Sequence, residues 1–108
     1  MSTKLPEPIA AYFAAANRHD IDATLAPFSK TAVVIDEGRR RTGLAAIREW
    51  IDETTAKYRP SAAVTSFTEN AGDTIVLVRM SGTFPGSPID IRYAFTLKDD
   101  QITRLEIH

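Results

Sequence analysis

After Pro60 the apolar residues stop recurring every three or four positions and begin to recur every two, and that change constrains the fold more than any other feature of the chain. Residues 64–69, 74–84, 89–98 and 101–108 read as four strands. They are joined by turn-forming runs, Asn70-Ala71-Gly72-Asp73, Pro85-Gly86-Ser87-Pro88 and Asp99-Asp100. The third strand is the clearest. Ile89, Ile91, Tyr93, Phe95 and Leu97 fall on one side, and Asp90, Arg92, Ala94, Thr96 and Lys98 on the other. Strands linked in this way form an antiparallel sheet whose apolar side needs a cover.

The residues before Pro60 supply that cover. Ile9, Tyr12, Phe13 and Ala16 share one face of a helix over 6–18, which tolerates proline in its first turn. Asp20 is placed to cap a short second helix over 21–26 that Pro27 helps to end. Ala32-Val33-Val34-Ile35 is a β-branched run and reads as a strand. The polar stretch from Asp36 to Gly43, with two glycines, reads as a turn followed by a brief strand. Ile47, Trp50, Ile51 and Thr54 share a face of a third helix over 44–58, which Lys57, Arg59 and Pro60 bring to a close.

Helices followed by hairpin-linked strands indicate an α+β architecture, not a doubly wound sheet. With 108 residues and no repeat, linker or low-complexity segment, one domain over 1–108 is expected; a chain of this size buries about 65% of its unfolded surface. Three short helices cover only part of a long sheet. A curved antiparallel (mixed) sheet wrapped around them forms a cone with an apolar pocket inside. Phe13, Trp50, Phe67, Met80 and Phe95 are expected on its walls as ligand-binding residues, and an apolar small molecule is the expected partner. The outer side mixes Arg79, Ser81, Thr83, Arg92 and Thr96 with Ile75, Leu77 and Ala94. A homodimer through the sheet would cover it.

Charge and composition narrow the classes further. A formal net charge of -1 offers no field to recruit nucleic acid or an anionic membrane. Arg39, Arg40 and Arg41 are the sole basic cluster, with no interleaved aromatics; they read as a solvated turn, with a clamp for a ligand carboxylate as the alternative. The chain has no cysteine, which removes disulfides, thiolate nucleophiles and cysteine metal sites and fits a reducing compartment. Met1-Ser2-Thr3-Lys4-Leu5-Pro6 lacks a signal-peptide core, and no apolar run is long enough to cross a bilayer. A cytoplasmic location is therefore expected. His19, read as a solvated turn residue, and His108 lack metal-ligand spacing, and no phosphate loop, zinc motif or Ser-His-Asp arrangement occurs; no cofactor and no metal are expected.

Four blocks carry a family resemblance: Tyr12-Phe13-Ala14-Ala15-Ala16-Asn17-Arg18-His19-Asp20-Ile21-Asp22, then Phe28, then Ala32-Val33-Val34-Ile35-Asp36, then Thr42-Gly43-Leu44-Ala45-Ala46-Ile47-Arg48-Glu49-Trp50. Together with the closing strands they resemble the nuclear transport factor 2-like superfamily, in its SnoaL-like and ketosteroid isomerase-like branch. The resemblance implies a cystatin-like cone and, in the isomerase branch, three catalytic positions. Tyr12 matches the oxyanion-hole tyrosine of the first helix, and Asp36 matches the general-base aspartate after the first strand, with the same spacing between them. Tyr93 stands where that branch has a second oxyanion donor, an aspartic acid. Ile51 replaces a supporting tyrosine, and Glu37 a proline. The mechanism implied is proton transfer α to a carbonyl, by an aspartate base with hydroxyl donors on the enolate oxygen. Two other readings stand beside it: a non-catalytic binder using the same pocket, and a dimeric interaction module that uses the sheet face.

Overall fold

The structure, a computed structural model, describes residues 4–108, so the N-terminal run read above lies partly outside the described residues. In chain order the elements are α1 (Glu7–Asn17), α2 (Ile21–Leu25), β1 (Phe28–Asp36), β2 (Arg39–Thr42), α3 (Leu44–Tyr58), β3 (Ser61–Asn70), β4 (Asp73–Ser81), β5 (Ile89–Lys98) and β6 (Gln101–Ile107). Helices and strands fall where the periodicity predicts them, with different ends. β1 starts at Phe28 instead of Ala32, β3 starts at Ser61 instead of Val64, and β4 stops at Ser81 instead of Phe84. Asp20 does cap α2, its Oδ1 accepting from the Ala23 N–H at 3.1 Å.

All six strands form one mixed sheet in the order β2-β1-β6-β5-β4-β3. Every neighbouring pair is antiparallel except β1 and β6, which run parallel. Three hairpins turn through two residues in the left-handed region: Glu37-Gly38 (φ 54 and 74°), Ala71-Gly72 (51 and 89°) and Asp99-Asp100 (53 and 61°). Positive φ at both central residues is the turn geometry whose twist matches that of the flanking strands. Register irregularities interrupt β1, β3 and the β5–β6 pair, and such bulges bend a strand and raise its twist. The sheet curls accordingly, without closing.

The helices fill the concave side, α3 against β1 and β2 and α1 against β3 and β6. Phe28, Ala32, Val34, Ile47, Phe95, Ile102 and Leu105 are buried there with Ile9 from α1. Register fixes which side chains share this side. Asp36 stands opposite Ile107, Ile107 opposite Tyr93, Tyr93 opposite Val76 and Val76 opposite Phe67, a single row across five strands. Because side chains alternate across a strand, Val33, Ile35, Ile75, Leu77, Arg92 and Ala94 point to the convex side. Leu77 is 41% exposed there. Among the described residues, no helix is long and apolar enough to cross a membrane.

Candidate active site

At one end of the cone the apolar packing stops short and leaves a cavity of about 340 Å³. That is at the small end of ligand-sized pockets. α1, β1, α3, β4 and β5 all contribute to its wall. The mouth is shaped by a close backbone approach after β4. The Thr83 N–H donates to the Tyr58 carbonyl at 2.8 Å, and a Cβ at Gly82 would overlap that same oxygen. Only glycine lets the chain pass here and bring Phe84 to the wall.

Asp36 enters the cavity because β1 ends there. Its side chain is on the concave side, and the positive-φ turn at Glu37-Gly38 carries the chain away immediately afterwards. Trp50 faces it from α3 and donates its Nε1–H to Oδ2 at 2.9 Å. A buried indole needs an acceptor for its N–H, and this carboxylate is the one at hand. The Asp36 pKa lies above the usual aspartate value. Desolvation is the main cause and the adjacent Glu37 charge adds to it, whereas the Trp50 hydrogen bond, the Glu37 backbone N–H and Arg41 pull the other way.

Tyr12 and Tyr93 line the same cavity, each only 5% exposed. Their ring centroids lie 6.3 Å apart, and Phe13 meets the Tyr93 ring edge-on at 5.2 Å. Burial raises both phenol pKa values, and the charge of Asp36 raises them further, which puts both hydroxyls within electrostatic reach of that carboxyl. The two phenols also act on each other, Tyr93 raising Tyr12 and Tyr12 lowering Tyr93.

Of the residues expected at the site, Tyr12, Phe13, Asp36, Trp50, Met80 and Tyr93 line the cavity. Phe67 and Phe95 do not. Phe95 lies two residues beyond Tyr93, fully buried with its ring 5.7 Å from that of Tyr12, and belongs to the solid part of the core. Phe67 packs half-buried at the outer edge of the sheet, four strands away from Asp36. The arginine cluster is a strand, Arg39–Thr42, and not a turn, with Arg39 and Arg40 exposed, and it does not reach the cavity. Arg41 lies on the helix side with 13% of its side chain exposed, bound to Glu53 at 3.2 Å while its Nε is buried without a partner. His19, expected in solvent, is half-buried and its Nε2 lies 2.9 Å from the Pro60 carbonyl oxygen. Glu37, Thr54, Tyr58 and Phe84 line the mouth, where no role had been expected for them. The four-residue spacing of Trp50, Thr54 and Tyr58 on α3 was the available signal. Among the described residues, no cluster of three acidic, histidine or cysteine side chains could hold a metal ion.

The model of the SnoaL-like domain family matches residues 9–105. The chain belongs to that family. Among solved structures, a candidate polyketide cyclase from Sinorhizobium meliloti is 38% identical, with a TM-score of 0.93 over 96% of this chain and 95% of that one. An epoxide hydrolase/cyclase-like enzyme of pyran ring formation in salinomycin shares the fold at 22% identity, with a TM-score of 0.82 over 94% of this SnoaL-like chain and 86% of its own. A cystatin-fold protein from Novosphingobium aromaticivorans shares it at 20% identity, with a TM-score of 0.78 over 94% and 95%. No protein of curated function matches the sequence.

Proposed function

We propose that this SnoaL-like protein is a cofactor-independent enzyme that removes a proton α to a carbonyl of a small apolar substrate. The supporting observation is a desolvated carboxyl, Asp36, that shares one cavity with two buried phenols. Asp36 takes the proton. Trp50 occupies Oδ2, which leaves Oδ1 for the transfer. The Tyr93 and Tyr12 hydroxyls donate toward the oxygen on which enolate charge develops, and donors fixed before the reaction need no reorganisation to do so. Returning the proton at another carbon gives an isomerase. Letting the enolate carbon attack a second carbonyl of the same molecule gives a cyclase, and the 38% identity to a candidate polyketide cyclase favours that second outcome.

Asp36→Asn tests the assignment. It removes the base and keeps an oxygen that can accept from Trp50, so turnover of a β,γ-unsaturated ketone should fall roughly 10²- to 10⁴-fold. Unchanged turnover sinks the reading. Loss of fold is not a competing explanation. A carboxyl whose pKa is raised by folding stabilises the folded state at low pH, and that contribution is lost as pH rises through the raised value. An uncharged Asn should therefore leave the melting temperature at neutral pH equal to or above that of the parent protein.

The convex sheet face supports a homodimer in the same proposal. Val33, Ile35, Ile75 and Leu77 project from it, and a second copy would cover them.

A further inference from the structure

The charge on the cavity wall says more about the ligand than its size does. Asp36 and Glu37 both line it, one at depth and one at the mouth, and no lysine, arginine or histidine stands among the lining residues. Cations stand near the wall without forming part of it. Arg41 is held by Glu53 behind the wall, and Arg39 is exposed on β2. The rest of the polar lining consists of hydroxyls and one amide, from Thr54, Thr55, Tyr58 and Asn17 among others. A ligand carboxylate or phosphate entering this space would meet two carboxylates on the wall, with Lys57 over the Tyr58 ring as the cation at the rim, and like charges facing one another discriminate against a ligand.

The apolar wall points the same way. Trp50, Tyr58 and Phe84 face the cavity with Tyr12, Phe13 and Tyr93, and a ring face attracts a cation. The mouth already demonstrates that attraction. Lys57, outside the lining, holds its ammonium 5.1 Å from the centroid of the Tyr58 ring. Tyr58 also donates its hydroxyl to Glu37 at 3.3 Å, which fixes the glutamate at the rim beside the aromatic side chains.

We infer that the substrate or ligand of this pocket is cationic, an apolar molecule bearing a protonated or quaternary amine, with the ammonium at the mouth between Glu37 and the Tyr58 and Phe84 rings. Anionic ligands are disfavoured. The inference rests on the cavity being a small-molecule site, as proposed above, but it needs no catalysis. The carbonyl end would lie deep, at the phenols, and the charged end would stay near water.

Three benzyl probes separate charge from shape: benzyltrimethylammonium, its neutral isostere neopentylbenzene, and the smaller anion phenylacetate. Binding to the intact protein is followed by the emission of Trp50, the single tryptophan of the chain and a residue of the cavity wall. The quaternary ion keeps its charge at every pH. It should bind about tenfold tighter than the neutral analogue, in keeping with a desolvated cation–π contact, and phenylacetate should not bind measurably. Glu37→Gln should remove most of the preference for the cation while leaving neopentylbenzene affinity unchanged, and raised salt should have the same effect. Equal affinity for cation and neutral analogue, tighter binding of phenylacetate, or no binding of the cation at all would each overturn the inference. A protein that selects the cation and never turns over a ketone would refute the enzymatic proposal and leave this one standing. Turnover of neutral ketones without cation selectivity would do the reverse.

Discussion

Tyr93 and Phe95 are two residues apart on one face of β5, yet they belong to different kinds of interior. Phe95 is enclosed completely, with Leu105 opposite it on β6 and Tyr12 and Phe13 meeting it at 5.7 and 5.8 Å. Tyr93 is almost as buried, but its hydroxyl end borders open volume. At the Phe95 end, the helices and strands bring enough side-chain volume to fill the cone. At the Tyr93 end, Ala16, Thr54, Thr55 and Ala62 are small. A solid core and a cavity can thus lie within one strand, divided by the size of the side chains that face it.

The sharpest way to break this contrast is to hollow out the solid end. Phe95→Ala should cost about 3–5 kcal/mol of stability, measured by urea unfolding, because the surroundings cannot collapse into the space. Met80→Ala, on the cavity wall, should cost less than half of that. Equal losses would mean that the cavity is not a real void. A second test addresses the outside of the same strands. Leu77→Glu puts a charge on the convex face; light scattering should report a dimer for the parent protein and a monomer for the variant. The chemistry of the hollow end is tested next. Trp50→Phe removes the donor that favours the charged form of Asp36, so the acid limb of the activity profile should move to higher pH. Glu37→Gln should give the smallest effect and the opposite sign. Its charge raises Asp36, so losing it moves the limb to lower pH.

The alternation in β5 and the helical faces of α1 and α3 made the architecture legible, since burial on one side writes itself into the period. The ends of β1 and β3 left no such mark. Phe28-Ser29-Lys30-Thr31 has no alternation, and β3 is an edge strand whose residues are mostly exposed, so no pattern of burial was imposed on them. At the site, periodicity turned Tyr12 and Tyr93 inward, but their roles and that of Asp36 came from a family resemblance. The bond from Trp50 to Asp36 was invisible to either. It joins a helix to a strand end 14 positions away, and only the curl of the sheet brings the two together. Arg41 misled for a related reason. Three successive arginines look like a wet turn until a two-residue hairpin sets one of them against α3.

The parallel pairing of β1 with β6 has a consequence for how the chain must be made. Asp36 stands on a strand whose inner neighbour, β6, follows every other strand of the sheet in the chain, so the helices, the β1–β2 hairpin and β3–β5 are all made before the seven residues Gln101–Ile107. Until those residues pair with β1, the base lacks one side of its surroundings, and this long-range pairing is the step that assembles the site.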